Sequence, residues 1–264
     1  MIGKNTKNDK KNDGATAPRI IRYTLTDSTN TRAKEYAREH AGERECVIFI
    51  ADGQTAGRGR LGRSFVSESG EGIFLSVLFY PDLPPEKVTD TVAYSAVILR
   101  RAISRVAGVL PSVKWVNDLY LGGKKLAGIL CECVFLENEK SPAIIAGMGI
   151  NIYKNAVNNE ISDIATSIEA ETNSRISRER LTEEIIEEFL KNLSSIGSQE
   201  ILSEYRESSF IIGKKVTVRP IAGEPYEATA VEILDDYSLL VEPQGGGRLA
   251  LNSGEISVKL KIEG

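Results

Sequence analysis

The sequence predicts an α+β protein, with strands and helices up to about residue 210 and a small C-terminal β-barrel of SH3 type after them. Up to that point, apolar runs of strand length alternate with longer segments whose apolar residues recur at helical spacing. Beyond Gly213, short strand-like runs follow one another and are separated by turns that contain Gly or Asp. We therefore expect domains over residues 19–210 and 211–264, with the boundary at 209–213.

In the first domain, most predicted strands are buried apolar runs. The run at 72–80, GIFLSVLFY, is almost wholly apolar, which is typical of a central strand covered on both faces. The glycine pair at 122–123 predicts a two-residue hairpin turn. The predicted strands of this domain cover 20–25, 46–51, 72–80, 113–115, 119–121, 125–133 and 143–151.

Helical periodicity predicts helices in the same domain. The first follows the capping residues 28–30 and places Ala33, Tyr36, Ala37 and Ala41 on one face. The others cover 88–106, 177–193 and 199–205, and the polar stretch 155–173 predicts an irregular connection. In the C-terminal domain, the predicted strands are 215–219, 226–234, 238–242, 248–251 and 255–262.

Composition excludes several classes of function. The chain has 264 residues, 41% of them hydrophobic, and a formal net charge of −4, which argues against a general nucleic-acid binder. An odd number of cysteines, Cys46, Cys131 and Cys133, predicts reduced thiols and a cytoplasmic location. The one histidine, His40, lies outside any catalytic-triad signature. Residues 1–18 predict a disordered polar tail, with neither a signal peptide nor a membrane span.

The stretch at 54–65, QTAGRGRLGRSF, holds three glycines and three arginines within seven residues and no acid. Glycine lets the backbone approach a ligand closely. Arginine offers a fork of donors that matches phosphate or carboxylate oxygens. Because two apolar strands flank it, the stretch predicts a mobile cationic loop that closes over an anion. A solvated basic turn and an RGG-like nucleic-acid tail are the alternatives.

Two further polar patches share this theme. Residues 28–30 can cap a helix and also present free N–H donors. Residues 114–118 place an amide and a carboxylate between two strands, with Lys125 on the next strand. Gly147 and Gly149 stand in a strand where side chains would obstruct a close neighbour.

Together these groups suit the activation of a carboxylic acid by a nucleoside triphosphate. Arg, Lys and Mg²⁺ stabilise the charge that builds when a carboxylate attacks the α-phosphorus. A glycine loop that closes would protect the acyl-adenylate from water. Neither a Walker A motif nor a Rossmann glycine fingerprint is present in the sequence.

Five motifs in order resemble biotin protein ligases: STN at 28–30, GRGRLGR at 57–63, KWVNDLYL at 114–121, KKLAGILCE at 124–132 and GMGIN at 147–151. The resemblance spans roughly residues 20–262. The sequence departs from the family pattern twice. Phe65 stands where tryptophan is usual, which puts adenine affinity in question, and Val116 stands where proline is usual.

The resemblance implies a mixed-sheet catalytic domain related to class II aminoacyl-tRNA synthetases. It implies that biotin and ATP form biotinyl-5′-AMP, and that the biotinyl group then passes to a carrier-protein lysine. The implied biotin-binding residues are Ser28, Thr29, Asn30, Gln54, Arg58, Gly59, Arg60, Lys125, Gly147 and Gly149. The implied ATP- and adenylate-binding residues are Arg58, Arg60, Arg63, Phe65, Asn117, Asp118, Lys125 and Asn151. Arg60, Lys125 and Asp118 are the implied catalytic residues, and Asp118 is also the implied Mg²⁺ ligand.

The implied partner is a biotin carboxyl carrier protein, a subunit of acetyl-CoA carboxylase or a related carboxylase. Homodimers occur in the family, through a sheet edge. Because only about twenty residues precede the first predicted strand, we expect no DNA-binding domain and no operator binding. Because the sequence shows neither a signal peptide nor a membrane span, we expect no membrane partner. Two alternatives stay open: a lipoate or octanoate ligase or transferase of the same fold, and a regulator that holds an acyl-adenylate without transferring it.

Overall fold

The computed structural model describes residues 18–81, 83–84, 87–137, 139, 141–221, 223–252 and 255–258. The predicted N-terminal tail lies outside these residues, apart from Pro18. Among the described residues, strands form two sheets, one of seven strands and one of five. This confirms the α+β class, and the larger sheet is mixed.

The strands of the larger sheet are β1 Arg19–Thr26, β2 Val47–Gln54, β3 Gly72–Phe79, β4 Ser112–Lys114, β5 Asp118–Leu121, β6 Lys124–Val134 and β7 Ala143–Asn151. The helices are α1 Thr29–Glu39, α2 Val88–Ala107, α3 Ile168–Thr172, α4 Arg178–Lys191 and α5 Gln199–Ser208. The order of the strands is β1-β2-β3-β7-β6-β5-β4. Only the first pair is parallel, because the helix α1 connects β1 to β2 as a crossover, and the other neighbours are antiparallel.

Both faces of the larger sheet are covered by helices. On one face, α1 packs through Ala33, Tyr36 and Ala37 onto β2 and β3. On the other face lie α2, α4 and α5, and this side holds the larger core. Every residue of β3 is buried, as the sequence predicted for a central strand. Ser76 is the one polar side chain in β3, and it faces α1.

The strands of the smaller sheet are β8 Lys215–Arg219, β9 Tyr226–Ile233, β10 Leu239–Pro243, β11 Leu249–Leu251 and β12 Glu255–Val258. This sheet is antiparallel, with the order β11-β10-β9-β8-β12. Residues 259–262 of the last predicted strand lie outside the described residues. The sheet packs against the first part of the chain, and the Trp115 indole N–H donates to the carbonyl of Tyr237 at 2.9 Å.

Two expectations about local structure were wrong. Ala41 does not lie on the buried face of α1, because the helix ends at Glu39 and the chain turns through His40 and Gly42, which has a φ of 93°. The stretch 155–173 is not wholly irregular, since it contains α3. That helix forms because the Ser167 hydroxyl caps it, accepting from the Ala170 N–H at 3.2 Å, and because Ile168 is buried.

In the described part of the chain, no helix combines the length and the apolar character that crossing a bilayer requires.

Candidate active site

A pocket opens where the start of α1, the end of β2, the start of β5 and the middle of β6 and β7 meet the glycine–arginine loop, residues 54–65. It is lined by fourteen of the residues expected at the site: Ser28, Thr29, Asn30, Gln54, Arg58, Gly59, Arg60, Arg63, Phe65, Asn117, Asp118, Lys125, Gly147 and Gly149. The fold therefore brings together residues that are far apart in the sequence. Asn151, also expected here, does not line the pocket, and its amide donates to the carbonyl of Thr166 at 3.0 Å.

The inner end of the pocket is a hydrogen-bonded network around the start of α1. The Thr29 backbone N–H donates to Gln54 Oε1 at 2.8 Å, and the Ser76 hydroxyl approaches Asn30 Oδ1 at 2.6 Å and Thr29 Oγ1 at 2.7 Å. Gln54 in turn donates to the Ser67 hydroxyl at 3.1 Å. These side chains are held by one another before any ligand arrives.

The floor of the inner end is the β7 backbone at Gly147. Ser76 of β3 and Leu130 of β6 are its neighbours across the sheet. A Cβ atom at position 147 would lie 2.0 Å from Asn30 Oδ1. Glycine is required here because the Asn30 side chain rests directly on the strand, which confirms the close approach expected from the sequence.

The outer end of the pocket is formed by the glycine–arginine loop, which folds back on itself. The Gly59 N–H donates to the Arg63 carbonyl at 2.7 Å, and the Phe65 N–H donates to the Gly57 carbonyl at 2.9 Å. A Cβ at position 57 would lie 2.4 Å from the Phe65 carbonyl oxygen, so this crossing requires glycine. At the tip, Leu61 has a φ of 55° and its side chain is exposed.

The cations of the loop point toward groups on the sheet. Arg60 Nη1 lies 3.4 Å from Asn117 Oδ1, and Arg58 Nη2 lies 3.9 Å from Glu132 Oε1. Phe65 packs its ring over the sheet, where a Cβ at Gly149 would lie 2.8 Å from the ring. The loop thus reaches the sheet through both charge and an aromatic face.

Lys125 of β6 forms an ion pair with Asp118 of β5, with Lys125 Nζ 2.7 Å from Asp118 Oδ1, although Lys125 is opposite Tyr120 and Asp118 is opposite Gly128 in the strand pair. Asn117, the preceding residue, is fixed to β6 twice: its amide donates to the Ile129 carbonyl at 2.7 Å, and its own carbonyl accepts from the Ile129 N–H at 2.9 Å. The amide, the carboxylate and the lysine are therefore positioned by the pairing of β5 with β6, whose register shifts between Leu119 and Tyr120.

The groups at the outer end are compatible with a magnesium ion that is bound chiefly by a nucleotide. Mg²⁺ in such sites uses one or two carboxylates together with substrate phosphates and water. Asp118 supplies one carboxylate beside three cationic side chains that suit phosphates. Within the described ranges no group of three or more His, Cys, Asp or Glu side chains could hold a metal by itself.

The sequence did not point to several neighbours of the pocket. Ser76 lies in the almost wholly apolar run at 72–80, and a single polar residue in a buried strand is a signal in itself. Glu132 on β6 does not line the pocket, but its carboxylate accepts a hydrogen bond from the Asn30 amide at 2.9 Å. Ile256 of β12 lines the pocket, so the second sheet contributes to it. That contact joins parts of the chain whose pairing no local pattern indicates.

Glu132 is ionised under ordinary conditions despite partial burial. Burial would raise its pKa, but hydrogen bonds from Lys34 and Asn30, together with the charges of Lys34 and Arg58, outweigh it and lower the pKa below the usual value. The carboxylate therefore stands as an anion next to the inner network.

Comparisons with known proteins agree with this geometry. The profile of the Biotin/lipoate A/B protein ligase family matches residues 23–151. The bifunctional ligase/repressor BirA of Bacillus subtilis is 32% identical over 232 residues, which cover 86% of this chain and 70% of that protein. The biotin–[acetyl-CoA-carboxylase] ligase of Mycobacterium tuberculosis is 28% identical over 239 residues, covering 88% and 86%.

A solved structure extends the similarity to three dimensions. The biotin protein ligase from Aquifex aeolicus in complex with biotin and ATP superposes with a TM-score of 0.73 at 25% identity, over 91% of this chain and 98% of that one. The chain belongs to the Biotin/lipoate A/B protein ligase family and, within it, to the biotin protein ligases.

Proposed function

We propose that this chain joins biotin to ATP to form biotinyl-5′-AMP and then transfers the biotinyl group to a lysine of a biotin carboxyl carrier protein. The observation that carries the proposal is that the two ends of this pocket differ in polarity. Its inner end offers neutral donors and acceptors, and its outer end offers Arg58, Arg60 and Lys125. Biotin has the same polarity, with a neutral ureido ring at one end and a carboxylate at the other.

In this proposal the inner network binds the ureido ring. Ser28, Thr29 and Asn30 are all buried, and each polar side chain among them stands beside the pocket. A ring that is uncharged but rich in hydrogen-bonding atoms suits a site whose own groups are neutral, because no buried charge is left unpaired. Gln54 holds Thr29 in place.

In the first step, a biotin carboxylate oxygen bonds to the α-phosphorus of ATP, and the bond to the pyrophosphate oxygen breaks, so that pyrophosphate leaves. Arg58, Arg60 and Lys125 surround the position where these anions meet, and fixed cations stabilise the charge that concentrates there. Gly59 allows the loop backbone to approach the same oxygens. Mg²⁺, when bound with the nucleotide, supplies further positive charge to the phosphates. Asp118 and Asn117 are the residues that would hold it.

In the second step, the amine of the carrier lysine attacks the acyl carbon, the bond to the phosphate oxygen breaks, AMP leaves and the amine loses a proton. An amine of pKa about 10.4 must be deprotonated for this attack. Asp118 is held 2.7 Å from Lys125 by their ion pair. We therefore assign Asp118 to positioning Lys125 and the phosphates, and leave proton loss to desolvation of the incoming amine.

The glycine–arginine loop covers the adenylate in this scheme. A mixed anhydride is destroyed by water, so a loop that excludes water has a direct function. Arg63 and Phe65 complete the adenylate side of the pocket, with the Phe65 ring available to the adenine. Asn151 has its amide bound to Thr166 and contributes by supporting the end of β7.

The remaining assignments follow the same proposal. We divide the chain into a catalytic domain at 19–210, related to class II aminoacyl-tRNA synthetases, and an SH3-like domain at 211–264. The carrier would be a subunit of acetyl-CoA carboxylase or a related enzyme, in the cytoplasm. The net charge of −4 fits a protein without a DNA partner. A homodimer would pair through a sheet edge, and β1 is one of the two terminal strands of the larger sheet among the described strands.

The direct test is to incubate the protein with biotin, Mg²⁺ and ATP labelled at the α-phosphate, then to add a carrier domain. We expect labelled biotinyl-AMP in the first stage and biotinylated carrier with release of AMP in the second. If an adenylate formed with lipoate or octanoate but not with biotin, the protein would be a lipoate or octanoate ligase instead. If biotinyl-AMP formed but was never transferred to the carrier, the protein would be a regulator that holds an acyl-adenylate.

A further inference from the structure

Glu132 stands just outside the pocket and touches the groups that form its inner end. It lies on β6, and its side chain is 20% exposed. Glu132 Oε2 accepts from Asn30 Nδ2 at 2.9 Å, and Oε1 is paired with Lys34 of α1. Arg58 is a weaker neighbour, at 3.9 Å and half exposed, which makes that pair worth little. The strong contacts of Glu132 are therefore with Lys34 and Asn30.

The contacts of Asn30 determine which way its amide points. Both N–H groups of Nδ2 are used, one toward the Leu130 carbonyl at 3.1 Å and the other toward Glu132. Both partners can only accept. A flipped amide would place its oxygen against a carbonyl and a carboxylate and would leave those acceptors without a donor. Because Glu132 is charged, leaving it without a donor makes the flipped orientation more costly than leaving only the Leu130 carbonyl without one.

With the amide in this orientation, Asn30 Oδ1 lies on the floor of the pocket. It rests directly over Gly147 and is approached by the Ser76 hydroxyl at 2.6 Å. A carbonyl oxygen has two lone pairs, so one hydroxyl leaves it able to accept from a ligand. The flipped amide would present N–H groups there and would meet the N–H groups of a ureido ring donor to donor.

We propose that Glu132 is a positioning residue that sets substrate selectivity: it holds Asn30 with its carbonyl oxygen toward the pocket, so that the site accepts a ligand carrying an N–H donor at that point. The inference rests on the proposed function, since it names the part of biotin, a ureido N–H, that Asn30 recognises. Glu132 itself touches neither substrate. Its effect passes through Asn30 alone, and it should therefore alter biotin binding without altering ATP binding.

The first variant is Glu132→Gln, which nearly preserves shape and removes the charge. A glutamine amide can accept or donate toward Asn30, so it no longer prevents the flip. We expect the Kd for biotin, measured by calorimetry, to rise about tenfold, the size typical of a lost hydrogen bond to a charged group. The KM for ATP at saturating biotin should change less than about twofold, since the outer end is untouched. An unchanged Kd for biotin, or an equal rise in both constants, would overturn the proposal.

The matched control is Glu204→Gln. Glu204 is a glutamate of α5 with 23% side-chain exposure, paired with Arg100 and Arg101 away from the pocket. It tests what the loss of a partly buried ion pair does to the protein in general. We expect it to lower the melting temperature without changing the Kd for biotin. A rise in that Kd like the one in Glu132→Gln would make the effect unspecific and would overturn the proposal.

A double-mutant cycle tests whether Glu132 acts through Asn30. In an Asn30→Ala background there is no amide to orient, so Glu132→Gln should add no further loss of biotin affinity. The same fold loss in both backgrounds would contradict the proposal.

A second variant keeps the test decisive if Glu132→Gln folds poorly. Lys34→Met removes the other partner of Glu132 but leaves its bond to Asn30, so the Kd for biotin should stay within about threefold of the parent. A loss of tenfold or more would mean that the ion pair, rather than the amide orientation, matters. These outcomes are separate from a failure of the proposed function, in which the unmodified protein would form no biotinyl-AMP at all.

Discussion

The two ends of the pocket are built in opposite ways. At the inner end, Ser28, Thr29 and Asn30 are at most 4% exposed, and they are connected to the sheet by hydrogen bonds. At the outer end, the groups that meet the ligand sit on a loop whose tip residue, Leu61, is 57% exposed. The inner end is set by strand register and burial, whereas the outer end is set by a loop and by charge.

This difference suits a ligand whose two ends also differ. A preorganised inner end lowers the entropy lost when a neutral ring binds, because the side chains are already ordered. The outer end must accept an anion and then a changing distribution of charge. Its cations would repel one another without a ligand, and an acid reduces that repulsion, because Asp118 pairs with Lys125.

The largest effect should come from removing the strand cation of the outer end. Lys125→Ala should slow adenylate formation by about 10²–10³-fold, the loss typical of removing a donor that stabilises developing charge. Biotin binding to the inner network should suffer much less. Single-turnover formation of labelled adenylate measures the rate, and calorimetry measures the affinity.

The neighbouring lysine offers a control on the same strand. Lys124 points the other way, is bonded to the Ser162 carbonyl at 2.6 Å and does not line the pocket. Lys124→Ala should leave the adenylation rate within about twofold of the parent. If the two variants slowed the reaction equally, the loss would reflect general charge and not a placed cation.

A second prediction tests the difference between the two ends by adding one methyl group at either end in separate variants. Gly147→Ala places a Cβ 2.0 Å from Asn30 Oδ1 at the inner end, and Gly149→Ala places one 2.8 Å from the Phe65 ring at the outer end. Forcing a methyl into packed structure costs about 1–3 kcal/mol. Gly147→Ala should therefore raise the Kd for biotin roughly tenfold to a hundredfold.

Gly149→Ala should mainly raise the KM for ATP, by a smaller factor than Gly147→Ala raises the Kd for biotin. The reason is that the Phe65 ring on the loop can move more easily than the Asn30 amide, which is held on three sides. The two constants are measured for both variants. If both variants raised the same constant by the same factor, the pocket would behave as one unit and the contrast between its ends would be wrong.

The sequence predicted the outer end more readily than the inner one. The glycines and arginines of the loop predict, from residue type alone, a cationic segment whose backbone can approach a ligand closely. Gly147 likewise predicts that a neighbouring group packs closely against the strand. The sequence does not indicate which residue packs against Gly147, because Asn30 contacts it only through the packing of α1 on the sheet. Ser76 and Glu132 enter the network through the register of β3, β7 and β6, which no local pattern encodes.

The same reasoning applies to Asn151 and Ile256. Asn151 follows Gly147 and Gly149 at the period of two that puts all three on one face of β7. The pocket ends before it, and its amide is used by Thr166. Ile256 could not be assigned at all, since the contact of β12 with the pocket depends on how two sheets pack. Motif order identified the chemistry, while contacts across the fold decide which residues hold the reacting groups in place.

The smallest expected effect concerns Phe65, where the family usually has tryptophan. Its ring already packs on Gly149 and lies edge-on to Phe74 at 6.4 Å, so it has an anchored position at the outer end. Phe65→Trp enlarges the aromatic face and should lower the KM for ATP by no more than about threefold, and Phe65→Leu, which removes the face, should raise it by a similar or larger factor. Neither change should alter the Kd for biotin, because the inner network does not include the ring. If the KM for ATP were the same in both variants, the ring would serve only to seat the loop on Gly149, and the outer end would recognise the nucleotide through charge alone.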